Sequence, residues 1–214
     1  MACLEDGKLA VEGIELDAAT ELISKLSFSK EGENWEATPS ADGACVVALD
    51  CTQDEAIISA GMSRELMMNI QQLRKAAGLA LQDVVEVFFQ EDEGVSICED
   101  AIARNISLFD VKFKGAIPLP KRLAPSWSVV LKSETAEVGG SKVEISVCRP
   151  ALAVRDSLDE AAKKVLSTLE PSELTSVGFY HCVVDSKAFD LKEGADYWLS
   201  TAAKTKDCKT LNWL

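Results

Sequence analysis

The sequence is poor in the residues that most often build metal and catalytic centres. It contains one histidine, His181, and seven cysteines that are widely scattered and include no CxxC pair. A zinc site needs clustered nitrogen and sulfur ligands, so we expect no metal site. An odd number of scattered cysteines is typical of reduced thiols, which indicates a cytoplasmic protein.

Long apolar runs are also lacking. No run approaches the roughly 20 residues that a membrane helix needs, and the N-terminus has no basic region followed by an apolar core. We therefore expect no membrane partner. The 214 residues, of which 47% are hydrophobic, suffice for one large domain or two small ones.

Positive charge is scarce. The chain has 35 acidic and 22 basic residues, a net charge of −13, so its summed field repels polyanions and any contact with a nucleic acid must be local. Residues 1–60 hold 13 acids and only three lysines. A nucleic acid would avoid the small sheet that we predict there.

No catalytic residue is predicted. His181 and Cys182 are adjacent on a predicted strand, so their side chains point to opposite faces and cannot act as a base and its nucleophile. The pair Gly139-Gly140 lacks the GK[ST] that would follow in a phosphate-binding loop. The acidic run at 91–93 is better explained as a solvated turn than as a metal site.

The longest periodic segment runs from Gln53 to Leu79 and predicts an amphipathic helix that ends at Gly78. Helical spacing places six apolar side chains on the side predicted to be buried: Ile58, Met62, Leu66, Ile70, Leu73 and Ala77. The opposite side carries a polar stripe of Arg64, Met68, Gln71 and Lys75, flanked by Gln72. Periodicity alone makes this stripe a solvated outer face.

The chemistry of the stripe also suits structured RNA. Arginine and lysine contact phosphates, and glutamine hydrogen-bonds sugars or base edges. The candidate RNA-binding residues of the helix are Arg64, Gln71, Gln72, Arg74 and Lys75. So few cations give weak affinity unaided, and aromatic side chains for stacking are lacking on this face.

A second candidate patch lies in residues 111–125, where three prolines favour an irregular backbone and four basic residues occur with no acid. Its cations are Lys112, Lys114, Lys121 and Arg122. The segment is either a solvated surface connection or a second contact for RNA phosphates.

We predict an α+β fold in which a small antiparallel or mixed sheet packs on the long helix, followed by a second small α+β unit. Strands are predicted at 8–16, 23–30, 34–37, 44–50, 83–90 and 178–185, a hairpin about Gly139-Gly140, and helices at 96–109, 157–169 and 192–204. The strand at 83–90 should join the first sheet, with that at 44–50 central. Ser157 is the predicted cap of its helix. A boundary near Arg155 would divide the chain into domains 1–155 and 156–214.

The motif GMSRELMMNIQQLRKAAGL, preceded by VVALDCTQDE and followed by DVVEVFF, resembles the C-terminal region of isoleucyl-tRNA synthetases. The matching positions are Gly61, Arg64, Glu65, Ile70, Gln71, Leu73, Arg74, Lys75, Ala77, Gly78 and Leu79. Asn69 departs from the arginine usual in the family, which would remove a positive charge from a nucleic-acid face, and Ala76 departs from an acid. The resemblance extends more loosely over residues 7–150.

The resemblance implies a non-catalytic part of the synthetase that assists tRNA binding during isoleucine charging for translation, with tRNA and the rest of the synthetase as partners. A class I catalytic centre carries a His-Ile-Gly-His-like and a Lys-Met-Ser-Lys-Ser-like signature, which act on ATP phosphates. Neither signature occurs in the chain. We therefore expect no cofactor in this chain, because ATP would be used by the catalytic domain. The sequence leaves open whether the chain counts as an enzyme, since it resembles part of a ligase without its catalytic centre. The alternative is a protein-interaction module that tethers the synthetase to other proteins of an assembly, because an acidic surface suits a basic protein.

Overall fold

A computed structural model describes residues 8–11, 13–17, 34–40, 45–80, 82–114, 116–174 and 178–213. The chain divides into two compact units, Met1–Asp54 and Glu55–Leu214. The domain boundary predicted near Arg155 falls inside the second of them. The α+β class is confirmed, since the described residues contain both helices and small antiparallel and mixed sheets.

Among its described residues, the first unit contains two antiparallel strand pairs. Strand β1 (Lys8–Val11) pairs with β2 (Ile14–Asp17), and β3 (Trp35–Pro39) pairs with β4 (Val46–Asp50). The two pairs are separate sheets, and Val47 and Leu49 of β4 are 63% exposed, so the prediction of β4 as a central strand is wrong for the described residues. The strand predicted at 23–30 lies outside the described residues.

The second unit is built on a four-stranded mixed sheet. Its strands are β5 (Glu86–Glu91), β6 (Leu119–Pro120), β7 (Val130–Val138) and β8 (Ser141–Cys148), in the order β6-β5-β8-β7. The hairpin predicted about Gly139-Gly140 is confirmed, and both glycines have positive φ. The prediction that β5 joins the N-terminal strands is wrong, because β5 pairs with β6 and β8.

Three helices contribute to the main apolar core with this sheet. They are α1 (Glu55–Ala76), α2 (Ile97–Arg104) and α3 (Ile106–Phe113). Buried side chains from all three join alternate residues of the sheet, among them Leu66, Ile70, Val87, Ile102, Phe109, Ile145 and Val147. The single helix predicted at 96–109 is instead two, since α2 ends at Arg104 and the N–H of the cap residue Asn105 donates to the carbonyls of Ala101 and Ile102. Helix α3 then continues into the segment predicted to be irregular.

The chain after β8 adds two further strand pairs and two short helices. Their bounds are β9 (Ala153–Val154), α4 (Glu160–Leu166), β10 (Phe179–Val184), β11 (Lys187–Lys192), β12 (Tyr197–Trp198) and α5 (Thr201–Asp207), with β9 paired to β12 and β10 to β11. The predicted helix at 192–204 begins only at Thr201, because Tyr197 and Trp198 pair with β9. The cap of α4 is Asp159 rather than Ser157: its Oδ1 accepts the Ala161 N–H at 2.9 Å.

A buried carboxylate ties this part of the chain to the sheet. Glu86 on β5 accepts the Thr201 N–H at 2.7 Å and the Ala151 N–H at 3.1 Å. Phe88, Leu119, Cys148 and Leu211 form a second apolar cluster. Among the described helices, none combines the length and apolar character needed to cross a membrane.

Candidate functional site

Helix α1 buries a side that is rotated from the predicted one. Leu66, Ile70 and Leu73 are buried as expected, but so are Ser59 and Ser63. The predicted burial of Ile58 is wrong, since it is 41% exposed, and Met62 and Ala77 are half-buried. The serines face α2: the Ser63 hydroxyl donates to the Ala101 carbonyl at 3.1 Å, and the Asn105 amide donates to Ser59 Oγ at 2.9 Å. Small hydroxyl side chains allow the two helices to approach closely.

The β7–β8 hairpin holds a second side of α1. The Gly139 N–H donates to Glu65 Oε2 at 2.8 Å, and the Asn69 amide donates to the Glu137 carbonyl at 3.3 Å. A Cβ atom on Gly139 would lie 2.8 Å from Met62 Cε, so the glycine permits this close packing. Asn69 therefore bonds the hairpin, a contact that the sequence did not predict for it.

The remaining side of α1 presents the polar stripe. We call Arg64, Met68, Gln71, Gln72 and Lys75 the α1 stripe, and all five are exposed. From Arg64 to Lys75 it extends about 16 Å along the helix axis at 1.5 Å per residue. Within the part of the chain that the structure describes, neither Arg64 nor Lys75 forms an ion pair. The stripe is thus a rigid surface with two cations at its ends and amide groups between them.

Arg74 is used differently from its neighbours. Its guanidinium donates to the Ala80 carbonyl at 3.1 Å and to the Asp83 carbonyl at 2.9 Å, and the Asp83 carboxylate accepts the Ala80 N–H at 2.7 Å. Arg74 therefore fastens the chain where it leaves α1 towards β5. This structural role competes with the RNA contact that the sequence predicts for it.

The four cations of the second predicted patch are in unlike surroundings. Lys121 donates to Glu144 at 2.8 Å, and Arg122 donates to both carboxylate oxygens of Glu99, at 2.5 and 3.1 Å. These bonds lower the pKa of Glu144 and raise that of Arg122. Lys112 on α3 and Lys114 at its end are exposed. Two of the four cations already have carboxylate partners, and two lie on or beside a helix.

The other reactive groups do not assemble into a catalytic site. His181 Nδ1 lies 2.6 Å from Asp190 Oδ1 across the β10–β11 pair, while Cys182 packs on the apolar cluster around α4. The two neighbours on β10 thus face opposite ways, as predicted. Glu91 accepts the Cys98 N–H at 2.8 Å. Among the described residues, no group of three or more His, Cys, Asp or Glu side chains is arranged to hold a metal ion.

A further group of cations contains one predicted site residue, Arg122 of the second predicted patch, and four that were not predicted. All five line a cleft of about 880 Å³ in the second unit: Arg122, Arg155, Lys163, Lys164 and Lys204. We call this the cationic cleft. Its lining comes from three stretches of the chain, 122–127, 153–167 and 198–210. Apart from Arg122, which lies in the basic segment 111–125, the local signal in the sequence is the Lys163-Lys164 pair on α4.

Comparison with known proteins gives a consistent set of relatives. No protein-family model matches the chain. Cytoplasmic isoleucine–tRNA ligases do: that of Arabidopsis thaliana is 34% identical over 131 residues, 55% of this chain, and that of Schizosaccharomyces pombe is 28% identical over 142 residues, 66% of this chain. The mouse enzyme is 25% identical over 145 residues, 68% of this chain.

The matches cover only a small part of each relative. They account for 11%, 13% and 11% of the Arabidopsis, Schizosaccharomyces and mouse enzymes. The chain thus spans about a tenth of the length of the curated relatives that it matches. The resemblance predicted from the α1 motif is confirmed: this chain is similar to one part of the cytoplasmic isoleucine–tRNA ligases of plants, fungi and animals.

Proposed function

We propose that the chain is a non-catalytic C-terminal part of a cytoplasmic isoleucyl-tRNA synthetase, and that it assists tRNA binding through the α1 stripe. Activation of isoleucine with ATP is assigned to other parts of the enzyme. The similarity to isoleucine–tRNA ligases supports the tRNA substrate. We choose the α1 stripe as the RNA surface because it is exposed and lies on the helix whose sequence resembles the synthetases.

Packing on its other sides supports this use of α1. Glu65 and Asn69 bond the β7–β8 hairpin, and Ser59 and Ser63 face α2, so the helix is held rigidly with one side open. Side chains on a rigid element can meet a structured partner without first being ordered. The open side carries donors for phosphate and sugar oxygens.

The charge of the stripe limits its contribution. Arg64 and Lys75 supply at most two phosphate contacts, and each such contact changes the slope of log affinity against log salt by about 0.7 to 0.9. The stripe therefore adds to affinity that comes mainly from other parts of the synthetase. Contacts with RNA shape and backbone fit it better than base stacking, because its side chains are aliphatic or polar.

The test is tRNA binding by the whole chain with the double substitution Arg64→Glu and Lys75→Glu. Reversing both charges should weaken binding about three- to tenfold and reduce the salt slope by about 1.5 to 2. Gel-shift titrations at about 50 mM and about 200 mM salt measure both quantities. Lys187→Glu, an exposed lysine at the start of β11, changes the net charge without touching α1 and is the matched control for one reversal.

Two results would contradict the proposal. In the first, the double variant binds tRNA as the Lys187→Glu control does, and the stripe is then not the RNA surface. In the second, the unsubstituted chain shows no tRNA binding at low salt but co-purifies with another protein of the synthetase assembly. That outcome would make the chain an interaction module.

A further inference from the structure

The cationic cleft concentrates positive charge in a chain whose net charge is −13. Its five cations share the lining with two acids, Asp156 and Glu160. Two more carboxylates, Glu99 and Asp196, pair with Arg122 and Arg155, so the five cations meet four acids and an excess of one positive charge remains, opposite in sign to the chain as a whole. Clefts with low-dielectric walls focus such a field.

The acids of the cleft are more exposed than the lysines that they contact. Lys204 Nζ lies 2.7 Å from Asp156 Oδ1, and the two side chains are 23% and 96% exposed. Lys163 lies 2.7 Å from Glu160, and these side chains are 20% and 86% exposed; Lys163 also donates to the Asp156 carbonyl at 2.8 Å. Exposed ion pairs contribute only about 0 to 1 kcal/mol. A bound anion could thus displace the two carboxylates into solvent while the lysines stay in place.

The rest of the lining points to a nucleic acid rather than to an acidic peptide. Trp127 is half-buried in the cleft wall, and its Nε1 donates to the Leu152 carbonyl at 3.2 Å, which fixes the ring. Tryptophan faces stack nucleic-acid bases, and serine and threonine hydroxyls bond phosphates. The cleft offers hydroxyl groups of Ser126, Ser157 and Thr210. A peptide carboxylate would use the lysines but not the aromatic ring.

We propose that the cationic cleft binds an unpaired RNA strand, with a backbone phosphate replacing the Asp156 carboxylate at Lys204 and a base lying against Trp127. Its volume of about 880 Å³ lies within the range of roughly 300 to 1,000 Å³ for small-ligand sites. It therefore takes a few nucleotides rather than a duplex. This inference rests on the proposed function in taking tRNA as the source of the strand, but it uses a surface other than the α1 stripe.

The experiment measures binding of a short unpaired oligonucleotide of uridine and adenosine to the whole chain by fluorescence anisotropy. Lys164→Glu should weaken binding about three- to tenfold and reduce the salt slope by about 0.7 to 1.4. Asp156→Asn removes the competing carboxylate and should strengthen binding about two- to fivefold. Lys187→Glu and Asp185→Asn, at exposed positions of the β10–β11 tip, are the matched controls and should leave affinity within about twofold.

Opposite results overturn the inference. One is that Asp156→Asn binds the oligonucleotide no more tightly than the unsubstituted chain does. The other is that Lys164→Glu binds it with the same affinity as its control, Lys187→Glu. Equal competition by a glutamate peptide of the same charge would assign the cleft to an acidic protein instead. Circular dichroism checks the fold of each variant, and Lys164→Glu, at an exposed residue of α4, keeps the test valid if Asp156→Asn does not fold.

The two proposals can fail separately. With intact tRNA, an effect of the Arg64→Glu and Lys75→Glu pair without an effect of Lys164→Glu keeps the proposed function and overturns the cleft. The reverse result keeps the cleft as an RNA site and overturns the stripe. The short oligonucleotide should not respond to the stripe variant.

Discussion

The two cationic surfaces of the second unit differ in how their charges are assembled and used. The α1 stripe takes its cations from one helix, and neither Arg64 nor Lys75 has an ion-pair partner within the described residues. The cationic cleft takes its cations from separate segments, and four of the five contact a carboxylate: Arg122 with Glu99, Arg155 with Asp196, Lys163 with Glu160, and Lys204 with Asp156. The stripe is open to any polyanion, whereas a ligand of the cleft must displace the protein's own acids.

The units themselves also differ in charge. Residues 1–54 hold 12 acids and three bases, while residues 55–214 hold 23 acids and 19 bases. The repulsion of a polyanion therefore comes mainly from the smaller unit. Both candidate RNA surfaces lie in the larger one, where local clusters of cations can overcome a small net charge.

The largest expected effect is a loss of stability when a buried apolar side chain of α1 is shortened. Ile70 is fully buried in the main core, so Ile70→Ala should lower the free energy of unfolding by about 2 to 5 kcal/mol. Met68→Ala, on the exposed side of the same helix, should change it by less than about 0.5 kcal/mol. Urea unfolding curves of both variants measure the difference. Equal losses would mean that α1 packs with a different side than the structure shows.

The second expected effect tests whether the two surfaces act independently on tRNA. The stripe and the cleft share no residue, so combining Arg64→Glu and Lys75→Glu with Lys164→Glu should multiply the separate losses, to about 10- to 100-fold in all. Gel shifts of the triple variant beside its two parents give the comparison. A combined loss no greater than that of one parent would show that both substitutions act on a single contact.

This contrast explains what could be predicted from the sequence. A helical surface repeats at a fixed spacing, so the outward direction of Arg64, Gln71 and Lys75 followed from periodicity alone. The rotation of the buried side could not be predicted in this way, because the burial of Ser59 and Ser63 depends on how closely α2 approaches. The pairing of β5 could not be predicted either, since hydrophobic patterns identify a strand but not its neighbours.

The unpredicted cleft has the same physical origin. Lys164 and Lys204 are far apart in sequence, and their meeting depends on where α4 and α5 pack in the fold. The separation of Lys112 and Lys114 from the carboxylate-paired Lys121 and Arg122 depends equally on distant partners, Glu99 and Glu144. The local excess of basic residues predicted a cationic patch at 111–125. The partner of each cation depends on the tertiary structure.

A smaller effect concerns how the stability of the second unit depends on pH through Glu86, a buried carboxylate outside the cleft lining. Burial raises the pKa of Glu86, which accepts the Thr201 N–H at the start of α5. The carboxyl is therefore protonated more readily in the folded chain than in the unfolded one. Its contribution to stability is fully present below the unfolded pKa, near 4.5, and is lost as pH rises through the higher folded pKa.

Substitution of Glu86 by glutamine removes this titration. Relative to the unsubstituted chain, Glu86→Gln should become progressively more stable as the pH rises above about 4.5, because only the glutamate then ionises at the buried site. Urea unfolding at several pH values measures the difference. Glu173→Gln, an exposed carboxylate outside the cleft lining, is the control. A difference that is constant with pH would show that burial does not control the ionisation of Glu86.

The smallest expected effect is protection of a thiol in the cleft. Cys208 lines the cleft and is exposed, and Cys45 in the first unit is also exposed. Burial raises the pKa of Cys148 to about 11 and raises that of Cys98 further, so both should react slowly with an alkylating reagent.

A short unpaired RNA should slow alkylation of Cys208 about two- to fivefold and leave Cys45 unchanged, as mass spectrometry of the peptides would show. The Arg64→Glu and Lys75→Glu pair should not alter this protection, because the α1 stripe lies outside the cleft. Equal slowing of Cys208 and Cys45 would mean that RNA shields the chain without choosing the cleft.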